Sequence, residues 1–96
     1  MIKIKNVETS IPMGESEVKV KYSDLLFKCI GDIPTSGMTI AMHRDLSPLL
    51  DTIAKAKDSI SVDPKFIPLI KERVSSYMWD FRHPDLFSFD DYIKDL

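Results

Sequence analysis

The spacing of apolar residues changes character near residue 22, and that change sets the fold class. Ile2-Lys3-Ile4-Lys5 and Val18-Lys19-Val20-Lys21 alternate apolar with basic side chains, the period-two signature of strands buried on one face. They predict the two arms of an N-terminal antiparallel β-hairpin, joined through Asn6 to Glu17 with Pro12 and Gly14 as punctuation. Beyond residue 22 the apolar residues recur three and four apart, the spacing of helices buried along one stripe. The expected architecture is therefore α+β, a hairpin in residues 1–22 packed with three to four α-helices in residues 23–96, all in one domain. Ser59-Ile60-Ser61-Val62 alternates again and adds a third short strand.

Punctuation places the helices. Ser23 precedes Asp24-Leu25-Leu26-Phe27-Lys28-Cys29-Ile30 as an expected N-cap, Gly31 supplies the stop, and Pro34 follows in a loop with Thr35-Ser36-Gly37. Thr39 is the next expected cap. From Ile40 to Lys57, Met42, Leu46, Leu49, Leu50, Ile53 and Ala54 share one face of a single helix kinked at Pro48. Asp63-Pro64 opens another helix carrying Phe66, Ile67, Ile70, Val74, Tyr77, Met78 and Phe81, with Pro68 costing it a hydrogen bond in the second turn. Pro84 to Leu96, with Leu86, Phe87, Phe89, Tyr92, Ile93 and Leu96, reads as a last helix or two short turns.

Composition narrows the classes of function. A formal net charge of −2 gives no global positive field to draw the chain onto nucleic acid or an anionic membrane. No stretch approaches the roughly 20 apolar residues of a membrane span. The start, Met1-Ile2-Lys3-Ile4-Lys5, lacks the apolar run of a secretory signal. Cys29 is the single cysteine, which leaves no internal disulfide, thiolate zinc cage or Cys-x-x-Cys pair and favours a reducing cytoplasm.

Each string that suggests catalysis lacks a partner. His43-Arg44-Asp45-Leu46 resembles the catalytic loop of protein kinases, but Leu50 stands where the magnesium-binding Asn belongs, Ser47 replaces the usual Lys, and no Gly-rich loop or Asp-Phe-Gly occurs. His43 and His83 have no local ligand motif with which to hold a metal. Cys29 falls at a helix C-terminus, where the dipole disfavours a thiolate, and is expected in the core. Pro34-Thr35-Ser36-Gly37 lacks the Gly-Lys-Ser/Thr ending of a phosphate loop. Asp90-Asp91, with Asp85 and Asp95, reads as a solvated helix face. No catalytic, cofactor-binding or metal-ligating residues are assigned, and no cofactor is expected.

Two surfaces remain. Lys3, Lys5, Lys19 and Lys21 are expected on the outer face of the hairpin, either as a guard against strand aggregation or as a patch for nucleic acid or an acidic partner. No aromatic residue is interleaved to stack on bases, which disfavours nucleic acid. The second surface is the run Tyr77 to Phe89, which holds the only Trp. Trp79 either packs beneath a last helix folded back at His83-Pro84 or anchors an interface with Arg82, His83, Phe87 and Phe89.

Tyr22-Ser23-Asp24-Leu25-Leu26, Cys29, Pro34, Ser36-Gly37-Met38-Thr39-Ile40, Leu46, Leu50-Asp51 and the run from Trp79 through Pro84-Asp85-Leu86 resemble small uncharacterised proteins of tailed bacteriophages and prophages. The resemblance brings no catalytic residues. It implies a setting, the bacterial host cytoplasm or a virion, in which small proteins assist particle assembly or bind a host protein. The expected function is a non-enzymatic protein–protein interaction module acting on a phage assembly component, on a host protein or on a second copy of itself. The alternatives are a nucleic-acid-associated regulator using the lysine face and, third, a small enzyme without a recognisable motif.

Overall fold

A computed structural model describes residues 1–12, 14, 18–33 and 36–96. Pro34 and Thr35 of the expected loop, and Met13 and residues 15–17 of the hairpin connection, lie outside the described residues. The fold is α+β, with strands β1 (Ile2–Lys5), β2 (Glu8–Pro12), β3 (Lys19–Lys21) and β4 (Ser59–Val62) and helices α1 (Tyr22–Gly31), α2 (Ile40–Ala54), α3 (Ile67–Ser76) and α4 (Pro84–Lys94). A single 3₁₀ turn, Pro64–Phe66, leads into α3.

The strands alternate as their sequences require, but β1 and β3 are not partners. β1 pairs antiparallel with β4, Ile4 opposite Ile60, while the N-terminal hairpin is formed by β2 and β3. Alternation specifies which side chains face the core and leaves the choice of partner open. The arm at Glu8–Pro12, polar enough to read as a connection, takes β3, and β1 is left for the distant strand. Ile4, Ile11, Ile60 and Val62 point into the core, whereas Lys3, Lys5, Ser59 and Ser61 are exposed. Thr9 is buried and donates its hydroxyl to Val20 O at 2.6 Å, bridging the irregular centre of the hairpin.

Asn6 joins three separate parts of the chain. Its side-chain carbonyl accepts from Ser23 N–H at 2.8 Å, its amide donates to Lys57 O at 2.7 Å, and its backbone N–H donates to Asp58 O at 3.1 Å. With the Ser23 amide satisfied in this way, α1 begins at Tyr22 with Lys21 at its N-cap, and Asp24 reaches back to accept from Lys21 N–H at 2.9 Å. Ser23 is thus a buried first-turn residue and not the cap. The stripe Tyr22, Leu25, Leu26, Cys29 and Ile30 is buried along the length of α1.

Helix α2 is a single helix that contains Pro48, and Thr39 caps it by accepting from Met42 N–H. Leu46, Leu49 and Ile53 face the core. Met42, expected on the same stripe, is 52% exposed and lines an open groove with Leu69 and Glu72 of α3, and Ile40 to Asp45 are exposed throughout. Asp63 caps the 3₁₀ turn by accepting from Lys65 N–H. The helix restarts after Phe66, so Pro68 falls in the first turn of α3, where its missing amide hydrogen breaks no bond. Among the described residues no helix is long and apolar enough to cross a membrane.

Candidate functional site

Helix α3 stops at Ser76 and does not run on to Phe81. Tyr77 turns to extended geometry, with φ −68° and ψ 135°, and the chain crosses to α4 as an irregular connection. Neither Gly nor Pro marks this end. Tertiary contacts hold it: the Tyr77 hydroxyl donates to the Asp32 carboxylate, and Lys28 Nζ lies 5.8 Å from the Tyr77 ring centre. Burial and the hydrogen bond to Asp32 raise the Tyr77 pKa above the ordinary phenol value. Arg73, on the last turns of α3, donates to Ile30 O at 3.1 Å and Asp32 O at 2.7 Å, so the ends of α1 and α3 are tied together.

From Tyr77 to Asp80 half-buried and exposed residues alternate, and the chain then bends at Asp80 and Phe81. Tyr77, Trp79 and Phe81 form a continuous edge-to-face series, with ring centres 4.7 Å apart for the first pair and 5.9 Å for the second. Trp79 also meets Phe89 of α4 edge-on at 6.3 Å, and Phe89 meets Tyr22 of α1 at 5.1 Å. Met78, Asp80 and Arg82 project outward, and Met78, expected on a core stripe, is 89% exposed.

Trp79 is half-buried at the base of an open groove of about 320 Å³. Val74 and Ser75 of α3 form one wall, Leu86, Phe87 and Asp90 of α4 the other, and Phe81, Arg82 and His83 close the end. Phe87 stands on the rim at 66% exposure. Four of the five residues expected at an interface, Trp79, Arg82, His83 and Phe87, are therefore brought to one groove. Phe89 lines its floor but is completely buried, which corrects its assignment as a contact residue. Leu86, Phe89 and Ile93 recur at the three- and four-residue spacing that turns them to the core, and Phe87 lies off that stripe.

His83 fixes the groove's end. As N-cap of α4 it accepts from Asp85 N–H through Nδ1 at 3.1 Å, an assignment that places the neutral ring's proton on Nε2. The Asp85 carboxylate accepts from Ser10 N–H at 2.7 Å and from Ser10 Oγ at 2.8 Å, and these bonds hold its pKa below the ordinary carboxylate value. Helix α4 is thereby anchored to β2.

The other candidates are dispersed. Lys3 and Lys5 lie on β1, Lys19 and Lys21 on β3, and these strands belong to different sheets, so the four lysines do not share the outer face of one hairpin. His43, Arg44 and Asp45 are exposed side chains in the first two turns of a helix, without the loop geometry of a kinase site. Cys29 is 1% exposed, and burial together with the nearby Asp32 charge pushes its thiol up to about 12. Among the described residues no three His, Cys, Asp or Glu side chains gather in a metal-binding arrangement.

Sequence reasoning missed the connection's conformation. The signal was present, since Tyr77, Trp79 and Phe81 alternate with Met78, Asp80 and Arg82 at period two. Val74 and Leu86 as groove walls, and the ties from Asn6 and Arg73, carry no local signature. No protein-family model, curated protein or solved structure matches the chain.

Proposed function

We propose that the chain is a non-enzymatic protein-interaction module that receives an apolar anchor of a partner protein in the groove over Trp79. The observation that carries this reading is the exposure of Phe87 and Phe81 beside a half-buried Trp79, with an exposed Arg82 in the same lining. Aromatic and Arg side chains around a concave apolar floor are the composition of an interface centre. The resemblance to small proteins of tailed bacteriophages and prophages supplies the setting, a bacterial host cytoplasm or a virion, with a host protein or a particle-assembly component as the partner. The lysines make a weaker case for nucleic acid, because they are divided between two sheets and have no stacking rings among them.

The test is site-specific photocrosslinking in the bacterial host. With p-benzoylphenylalanine in place of Phe87, one dominant protein adduct is expected, to be identified by mass spectrometry and lost when Trp79→Ala is added. The same probe in place of Phe27, on the exposed side of α1, is expected to give none. Equal adducts from both positions, or none from Phe87, reject the groove as the contact surface.

A further inference from the structure

The ring of His83 stands between two partners on one residue, and its charge decides which of them it can hold. As N-cap of α4, Nδ1 accepts from Asp85 N–H at 3.1 Å. The same Nδ1 lies 4.0 Å from Asp85 Oδ2. A neutral ring keeps a lone pair on Nδ1 and serves the amide, whereas an imidazolium carries a proton there, cannot accept, and can only donate to the carboxylate. The two arrangements exclude each other.

The first turn of α4 depends on which one is made. Pro84 has no amide hydrogen, so the turn is closed by Asp85 N–H donating to the His83 ring and Leu86 N–H donating to His83 O at 3.1 Å. A positive charge at this end opposes the helix dipole. Asp85 Oδ2 is already committed to Ser10 N–H and Ser10 Oγ, the two bonds that anchor α4 to β2, so an imidazolium drawn to that oxygen competes with the anchor. The next residues of the same turn, Leu86 and Phe87, are the groove wall.

The other charged and titratable groups around the ring hold their state near neutral pH. Arg82 precedes it in the chain and is permanently charged. Asp90 of α4, in the same groove lining, is paired with Lys94 at 2.8 Å. Ser10 keeps the Asp85 carboxylate below its ordinary value, and therefore ionised. Tyr77, and Tyr22 of α1 beside Asp85, are both held above the ordinary phenol value and stay uncharged. Helix α3 contributes Val74 and Ser75 to the lining, and neither titrates. Histidine is the side chain that ordinarily changes charge between about pH 5 and 8, and the His83 side chain is 25% exposed, open to protons from solvent.

We infer that His83 is a proton switch on the groove: neutral, it caps α4 and holds the wall of Leu86 and Phe87; protonated, it exchanges the Asp85 amide for the Asp85 carboxylate and loosens that wall. The consequence for a partner rests on the groove being its contact surface, whereas the switch is a property of the free chain.

Nuclear magnetic resonance on the full chain without a partner tests it. At pH 8 the imidazole nitrogen shifts should show the Nε2–H tautomer at His83. Between pH 8 and 5 the exchange protection factors of the Asp85, Leu86 and Ser10 amides should fall roughly fivefold, the effect of losing one cap. The emission of Trp79, the only tryptophan, should move to longer wavelength over the same range. His83→Asn supplies an uncharged cap acceptor at every pH and should keep the three amides protected and the emission fixed; His83→Ser replaces it if the Asn variant does not fold. An Nδ1–H tautomer at pH 8, protection independent of pH in the wild-type chain, or a fall that persists in the capped variant overturns the inference. An emission maximum that stays fixed while protection falls overturns the link to the groove. Absence of the Phe87 adduct would reject the contact surface and leave the switch standing, so the two failures are read separately.

Discussion

Helix α1 and the connection from Tyr77 to His83 are both rich in large apolar side chains and dispose of them in opposite ways. In α1 the apolar residues recur at three- and four-residue spacing, and Tyr22, Leu25, Leu26, Cys29 and Ile30 all reach the core, leaving Phe27 as the exposed exception. The connection alternates half-buried and exposed residues from Tyr77 to Asp80 and then bends. Tyr77 and Trp79 are half-buried against the core, while Met78 and Arg82 remain in solvent. A stripe is consumed by folding, whereas a ridge of rings standing on a core leaves one face for something else to meet. Phe89 joins the two regions, since it touches Tyr22 on one side and Trp79 on the other.

That junction gives the most severe way to break the contrast. Phe89→Ala removes a completely buried ring from between α1 and the connection, and should cost about 3 to 5 kcal/mol in equilibrium denaturation. Trp79→Ala removes a half-buried ring from the connection alone and should cost less, about 2 kcal/mol. Losses of equal size would show that Trp79 is a core residue and that the groove is a secondary feature.

Cys29 sharpens the α1 side of the comparison through pH. Its thiol is pushed up to about 12 in the folded chain against an ordinary value of 9.0. A group whose folded pKa is raised contributes stability that is intact below the unfolded value and declines as pH rises towards the folded one. Stability should therefore be independent of Cys29 at pH 8 and fall by about 1 kcal/mol through Cys29 by pH 10, and Cys29→Ala should remove most of the slope between pH 8 and 10, leaving the part that belongs to the raised Tyr22 and Tyr77 phenols. A slope undiminished in Cys29→Ala assigns it to another group. The smallest effect belongs to the rim. Phe87→Ser should change stability by no more than about 0.5 kcal/mol while removing partner capture at the groove, measured by loss of crosslinking from a probe in place of Phe81.

Local chemistry was legible wherever a short-range rule applied. The Thr39 cap, the Asp63-Pro64 entry, the single helix through Pro48, the strand at Ser59–Val62 and the burial of Cys29 each follow from neighbours within a turn or two. The groove was half legible. Trp79, Arg82, His83 and Phe87 could be gathered from composition, but Phe89 was mistaken for a contact because aromatic character attracts attention equally at both positions. Its place on the Leu86-to-Ile93 stripe was the better guide.

Sequence by itself determined the class of fold, the caps at Thr39 and Asp63, and which residues of most elements share a face, because each of these depends on dihedral preferences and periodicity over a few residues. Tertiary structure decided that β1 pairs with β4, that α3 ends at Ser76, and that the lysines divide between two sheets. Those outcomes are set by groups far away in the chain. Asn6 supplies hydrogen bonds to Ser23 and Lys57, Arg73 and Tyr77 engage the end of α1, and Asp85 and Tyr92 cover the outer edges of β2 and β1. Period-two alternation makes a strand ready to pair and carries no address for its partner, so the partner is chosen by whichever backbone the packed helices leave within reach.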